Sequence, residues 1–280
     1  MNKLRGALPP DPRLGESSQV VYLIGHPVSH SLSPAMQNAA FAASGLPHRY
    51  EPRDVDPADL EAAVRSLRTD AVLGANVTVP HKERILSLLD AVAGDALRIG
   101  AVNTILREGT ELLGENTDRG GFEAALRDAR IDVAGKRVLV LGAGGAARAI
   151  VIALAASGAR VDVANRTPDR ARRLADAFGV GAVAWPDEAA LAVDVIVNAT
   201  SAGLHGEDPL AGMALPAGAA IVDIVPTALE TPLVRRARAA GNTVVDGLLM
   251  LLHQAAASFH LWTGRDASLE AMRAALPRRV

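Results

Sequence analysis

Lys82 and Asp118 are the residues of this chain best suited to move a proton. Lys82 follows Pro80 and His81, and residues 80–89 read as a helix with Leu86 and Leu89 on one face. In the first turn of such a helix the dipole disfavours added positive charge, a setting that suits an ammonium to proton transfer. A neighbouring carboxylate would oppose that tendency while orienting the ammonium. Five polar segments of the first half follow strand-like stretches, where ligand sites form in open α/β sheets. They are His30-Ser31-Leu32-Ser33-Pro34, Asn76-Val77-Thr78, Pro80-His81-Lys82, Asn103-Thr104 and Asn116-Thr117-Asp118. Their hydroxyls, amides, one ammonium and one carboxylate suit a small polyol or hydroxy acid, because each ring hydroxyl needs a donor or acceptor. Each segment also has a plain structural reading: Ser33 as a helix cap, Asn116 and Asp118 as turn formers, Lys82 as a solvated first-turn lysine.

A second constellation begins where the apolar run 138–141 enters Gly142-Ala143-Gly144-Gly145-Ala146-Ala147. Glycines here permit a tight turn and let backbone approach a pyrophosphate, while the helix that follows presents free N–H groups and a positive dipole end. The strand before and the helix after turn a weak motif into a dinucleotide site. At the end of the next strand an NAD site carries an acid for the ribose hydroxyls. This chain instead reads Asn165-Arg166-Thr167, with Arg170 one helical turn further on. Two guanidinium groups can hold a 2′-phosphate in bidentate fashion, which favours NADP over NAD; solvated surface arginines are the bland alternative. Asp162 stands too early to reach the ribose.

These groups need a scaffold. Strands are expected at 20–24, 48–52, 73–79, 136–141, 160–164, 194–198 and 220–224, with a hairpin over 102–106 and 111–113. Helices are expected from Ser33-Pro34 to Gly45, and at 57–67 with Asp56 as cap, 122–128, 146–157, 170–178, 247–263 and 269–276. The βαβ alternation after Asp118 predicts an α/β fold with a parallel sheet covered on both faces.

Composition narrows the function. The chain has 280 residues, 49% of them hydrophobic, enough for one large or two modest cores. Its 29 basic and 31 acidic residues nearly cancel and only 3% are aromatic, which argues against nucleic acid or an anionic membrane as partner. Without cysteine there are no disulfides, thiolate metal sites or cysteine nucleophiles, and the histidines lack ligand-like spacing, so no metal is expected. Residues 1–19 are polar and proline-rich, without the apolar core of a secretory signal, and read as a disordered tail. The expectation is a cytoplasmic monomer or homodimer.

Taken in order, the segments 25–34 (GHPVSHSLSP), 76–82 (NVTVPHK), 100–104 (GAVNT), 116–118 (NTD), 142–147, 165–167, 198–200 (NAT) and 247–254 resemble the successive signatures of the shikimate dehydrogenase family. The likeness spans nearly the whole chain after the tail. It implies reversible, NADP-dependent reduction of 3-dehydroshikimate to shikimate, a step of aromatic amino-acid biosynthesis towards chorismate, with Lys82 and Asp118 as the proton-transfer pair. It implies further that Ser31 and Ser33 bind the substrate carboxylate, that Thr78 is another substrate contact, and that Asn76, Asn103 and Gln254 bind ring hydroxyls or support the pair. On the cofactor side it implies Gly142, Ala143, Gly144, Gly145, Ala146, Asn165, Arg166, Thr167, Arg170, Thr200, Ile224 and Gly247. The implied architecture is a Rossmann-like NADP domain, 119–246, inserted in a discontinuous α/β substrate domain, 20–118 and 247–280, completed by the C-terminal helices.

Three positions depart from the family pattern. Pro226 stands where a tyrosine commonly faces the substrate, Arg119 where a glycine follows Asn-Thr-Asp, and Gln37 where histidine is usual. Proline removes a hydroxyl and a backbone donor, which bears on substrate preference. Arg119 is expected either to pair with Asp118 or to face solvent, and Gln37 to have a mild structural effect. A quinate or other shikimate-like polyol dehydrogenase is therefore the alternative. A non-catalytic NADP-binding sensor is a third reading, against which the retained Lys82 and Asp118 count.

Overall fold

Among the described residues the chain builds two sheets of six strands each. The computed structural model describes residues 18–185 and 191–277. Most of the expected tail, residues 1–17, lies outside the described residues. Its last two residues belong to the folded body: Ser18 Oγ donates to the Pro47 carbonyl at 2.8 Å and the Gln19 N–H to His48 Nδ1 at 3.2 Å.

The first sheet contains β1 (Val20–Gly25), β2 (Arg49–Asp54), β3 (Val72–Val77), β4 (Ala91–Val92), β5 (Thr104–Glu108) and β6 (Glu111–Glu115), in the order β2-β1-β3-β5-β6-β4. Strands β1, β2 and β3 are parallel, whereas β5 runs antiparallel to both β3 and β6. That reversal matters for the site. It sets Asn76 at the end of β3 opposite Thr104 at the start of β5, and Thr104 opposite Glu115 at the end of β6. Asn76, Asn103 and the 116–118 segment therefore share one edge. Helices α1 (Ser33–Ala43), α2 (Leu60–Arg65) and α3 (Gly94–Ile99) belong to this half.

The second sheet is wholly parallel: β7 (Arg137–Leu141), β8 (Arg160–Ala164), β9 (Gly181–Val183), β10 (Val195–Asn198), β11 (Ala220–Asp223) and β12 (Thr243–Val245), in the order β12-β11-β10-β7-β8-β9. Strand order reverses between β7 and β10, which opens a crevice at their carboxyl ends. Helices α4 (Asp118–Asp128), α5 (Gly145–Ala156), α6 (Pro168–Phe178) and α7 (Pro232–Ala239) accompany it. This is an α/β architecture with a Rossmann-like half. The chain then returns through α8 (Gly247–Thr263) and α9 (Leu269–Ala274).

Helix α8 joins the two cores. Its Met250 packs with Phe122, Val140 and Ile150 of the second half, while Leu252, Phe259 and Trp262 pack with Leu23, Met36 and Tyr50 of the first. The Asp246 side chain caps it by accepting the Leu248 N–H at 3.0 Å. A smaller cluster of Ile99, Ala101, Ala149 and Ile152 ties α3 to α5. Arg148 spans the same junction, donating to the Ile99 carbonyl and lying over the Phe178 ring at 5.2 Å.

Two expected elements are corrected. Residues 80–89 do not form an α-helix: the chain turns at Pro80, and a single 3₁₀ turn covers Arg84–Leu88. The reason is a long-range bond, since the Lys82 carbonyl accepts the Val102 N–H at 2.8 Å and is lost to any helical partner. The helix expected over 122–128 begins at Asp118, whose N–H is held by Asn116 Oδ1 at 3.0 Å. The dipole argument thus moves from one partner to the other: the positive helix end lies under the carboxylate, where it stabilises charge. Ser33 opens α1 but makes no side-chain cap bond.

Candidate active site

Lys82 Nζ lies 2.5 Å from Asp118 Oδ2, with the two side chains 13% and 5% exposed. Backbone geometry on both sides produces the pairing. The Lys82 carbonyl is pinned to Val102, and the hairpin β5–β6 returns the chain to Asp118 at the same edge. Asn103 supports the carboxylate, its Nδ2 donating to Asp118 Oδ1 at 2.8 Å and to Thr117 Oγ1 at 2.9 Å. The orientation of this amide is fixed, because its Oδ1 accepts the Thr117 N–H at 2.8 Å, which only an oxygen can do.

Further hydrogen bonds run inward from Asn103. Asn76 Nδ2 donates to the Asn103 carbonyl at 2.9 Å and lies 3.1 Å from Ser258 Oγ, while Asn76 Oδ1 accepts from the Tyr50 hydroxyl at 2.8 Å. The Tyr50 side chain bonds Ser33 in turn, and burial pushes its phenol well above the usual range, so it stays a neutral donor. Ser258 Oγ meets the Thr104 and Thr117 hydroxyls at 2.8 and 3.0 Å and donates to the Gln254 carbonyl. Tyr50 and Ser258 escaped the sequence reading, although Ser258 lies one helical turn beyond Gln254 on the same face, while Thr104 and Thr117 entered it only as members of polar segments.

Gln254 reaches this cluster because α4 and α8 cross closely at Gly121. A Cβ there would stand 2.6 Å from Gln254 Cβ, a distance no ordinary contact allows. Gln254 Oε1 comes within 3.3 Å of Asn103 Nδ2. Asn76, Lys82, Asn103, Asp118 and Gln254 are thus brought together, with Ser33 joined through Tyr50. Ser31 Oγ accepts the Ser33 N–H at 3.2 Å. The Thr78 hydroxyl makes no hydrogen bond among the described residues.

Arg119 resolves in neither expected direction. It bonds Glu123 at 3.0 Å and Asp95 at 3.1 Å, away from Asp118. Gln37 is fully buried, with Nε2 on the Ala255 carbonyl at 2.9 Å and Oε1 without a partner. Pro226 lies half-buried on the loop after β11, next to the Val225 carbonyl on which Gly247 packs.

The glycine turn fits a dinucleotide. Gly142 adopts φ +114 and a Cβ on it would strike the Ala199 carbonyl at 2.6 Å, so the turn lies tight against the loop after β10. At Gly144, the N-cap of α5, nothing approaches within 4 Å of where a Cβ would stand, leaving bare backbone at a helix N-terminus. Gly145 backs onto the reacting pair, since its Cβ would lie 2.9 Å from Lys82 Cβ. Ala143 is buried and Ala146 half-buried beside this turn. Arg166 is exposed and makes no ion pair among the described residues, and Asn165 Nδ2 donates to the Thr167 carbonyl at 3.0 Å. Arg170 stands 3.7 Å from Glu83. Thr200 spends its hydroxyl within its own loop, donating to Asn198 Oδ1 at 2.7 Å, and Ile224 and Gly247 form the crossing of the β11 loop with α8. Among the described residues no cluster of side chains could hold a metal, and no helix is long and apolar enough to cross a membrane.

Asp223 anchors the cofactor-side loops and was missed from sequence. Its buried carboxylate accepts from Asn198 at 2.9 Å, Thr231 at 2.6 Å and the Val225 N–H at 3.2 Å. Burial nevertheless pushes this carboxyl up to about 6 from 3.8. As pH rises, the unfolded chain releases the proton first, so stability present at low pH is lost between roughly pH 4 and 6. Asp223→Asn removes that loss, provided the amide keeps two acceptances and donates to Thr231. The variant is expected to be more stable than the parent by about 1–3 kcal/mol at pH 8, with the difference vanishing near pH 4. Thermal melts across that range check it.

Three family models match the chain: "Shikimate dehydrogenase substrate binding domain" over residues 23–105, "Shikimate / quinate 5-dehydrogenase" over 123–207 and "Shikimate 5'-dehydrogenase C-terminal domain" over 247–276. The NADP(+) shikimate dehydrogenase of Moorella thermoacetica is 47% identical over 270 residues, covering 91% of this chain and 92% of that one. Among solved structures, shikimate 5-dehydrogenase from Thermus thermophilus in complex with NADP(H) and shikimate superposes with a TM-score of 0.84 at 42% identity, covering 92% and 98% of the two chains. Shikimate dehydrogenase from Aquifex aeolicus gives 0.87 at 40% identity, covering 92% and 97%. Likeness of this extent, in sequence and in fold, means that the chain belongs to the shikimate dehydrogenase family.

Proposed function

We propose that the chain is an NADP-dependent shikimate dehydrogenase, reducing 3-dehydroshikimate to shikimate and running the reverse reaction. One observation carries the reading: the buried Lys82–Asp118 pair abuts the third glycine of the dinucleotide turn. A proton donor and a nicotinamide nucleotide are thereby brought to the same place. Bound at the glycine turn and Arg166, that nucleotide supplies the hydride.

The protein supplies the proton and the alignment. Lys82 has three N–H donors and spends one on Asp118, leaving others for the substrate's carbonyl oxygen. It gives a proton to that oxygen during reduction and takes it back from the hydroxyl in the reverse direction. Asp118, with one oxygen on Lys82 and the other on Asn103, holds the ammonium in line rather than shuttling the proton itself. Asn76, Asn103 and Gln254 offer fixed amide dipoles to ring hydroxyls, and Thr78 a free hydroxyl. Ser31 and Ser33 at the head of α1 hold the carboxylate at the far end of the ring. Residues 20–118 with 247–280 form the substrate part and 119–246 the cofactor part, the division falling where α4 begins.

Initial rates with shikimate and with quinate, each with NADP and with NAD, test the proposal. Shikimate with NADP is expected to give the highest kcat/KM by more than about tenfold, the scale set by one well-placed polar contact. Preference for quinate would overturn the substrate assignment. NADP binding without turnover of any cyclic hydroxy acid would overturn the enzyme assignment.

A further inference from the structure

Glu83 follows Lys82 directly, yet its carboxylate faces the cofactor half of the molecule. Its Oε1 stands 3.7 Å from Nη2 of Arg170 on α6, and both side chains are about half exposed. Arg170 is one of the two guanidinium groups assigned above to a 2′-phosphate, and the other, Arg166, has no ionic partner among the described residues. Thr167, the N-cap of α6, makes no side-chain cap bond, so the cluster that would receive the phosphate is open on its α6 side. On the Lys82 side it meets a carboxylate. The end of β8 carries no acid, and Glu83 brings one from another part of the chain.

We propose that Glu83 sets the strength of the NADP preference by competing with the 2′-phosphate for Arg170. This rests on the assignment of Arg166 and Arg170 to that phosphate. A 2′-phosphate arriving at Arg170 must displace Glu83 or lie beside it, and either is unfavourable for two anions. A ribose hydroxyl carries no such charge, and for NAD the carboxylate is neutral or helpful, as an acid is in NAD sites. Glu83 therefore weakens NADP binding selectively, while the phosphate, in taking Arg170, releases a tie between the Lys82 segment and α6. The contact is half exposed, so its effect is modest and falls as salt screens it.

Calorimetric Kd values for NADP and NAD, with KM values beside them, test this in the full-length protein at low ionic strength. Glu83→Gln is expected to tighten NADP about threefold and leave NAD unchanged or slightly weaker, with the difference shrinking at 0.5 M salt, on the order of a 4 Å screening length. An unchanged NADP-to-NAD ratio, or a lower one, overturns the proposal. In an Arg170→Ala background Glu83→Gln should no longer move the ratio. The same gain in that background would show that Glu83 does not act through Arg170, and would also overturn it. A salt-independent gain would point to altered local structure and count against the competition. Should Arg166→Ala weaken NADP and NAD equally, the phosphate assignment itself fails, a result separate from any effect of Glu83.

Discussion

Lys82→Ala is expected to lower kcat by about 10²- to 10⁴-fold while shikimate still binds with a measurable KM, because the variant loses the proton donor and keeps the ring and carboxylate contacts. The loss has to be separated from damage to the fold. Removing one partner of a buried ion pair can cost about 3–5 kcal/mol. Asp118 is better provided than most such carboxylates: Asn103 still donates to it, and it sits at the positive end of α4. The variant should therefore fold with a lowered thermal midpoint, and rates measured well below that midpoint report chemistry. Asp118→Asn should lower kcat by less, since the lysine remains but loses its alignment. Combined, the two substitutions should be no slower than Lys82→Ala alone, the behaviour of groups that act as one unit. An unchanged kcat in Lys82→Ala would remove this lysine from the reaction.

How this pair is held shows what a sequence can reveal and what it conceals. Strands β7, β10 and β11 are legible as apolar runs because parallel strands covered on both faces need little alternation. The glycine turn is legible too, since the strand before it and the helix after it are local signals. The Lys82 segment is not. Its helical pattern fails because the Lys82 carbonyl binds Val102 across the sheet edge, a partner no local window contains. Gln254 is harder still: it reaches Asn103 only because Gly121 lets α8 cross α4, a fact of two distant helices. Tyr50 could have been found by its inward place on a half-buried strand, and Asp223 by an acid ending a buried strand. Both read as background until burial and hydrogen bonding reveal their partners. Arg119 shows the opposite error, where nearness in sequence to Asp118 suggested a pairing that α4 geometry sends to Glu123 instead.

The cofactor half yields the second large effect. Arg166→Ala is expected to raise the KM for NADP about 10- to 100-fold while changing that for NAD by less than about threefold, the range of one or two charge-assisted hydrogen bonds to phosphate. The structure makes Arg166 the more exposed to loss of the two candidates. It has no ion pair among the described residues, so its charge stands uncompensated at the carboxyl end of β8, where an approaching phosphate neutralises it. Arg170 is already engaged by Glu83, and Arg170→Ala should cost NADP less, because part of what the phosphate gains there is offset by what Glu83 gives up. Arg166→Lys should fall between the parent and alanine: the charge remains, but a point ammonium cannot grip two phosphate oxygens as a planar fork does. The NADP effect should also shrink with rising salt, since an exposed guanidinium is screened. Equal weakening of NADP and NAD would instead place Arg166 against a part both share, and its assignment to the 2′-phosphate would fail.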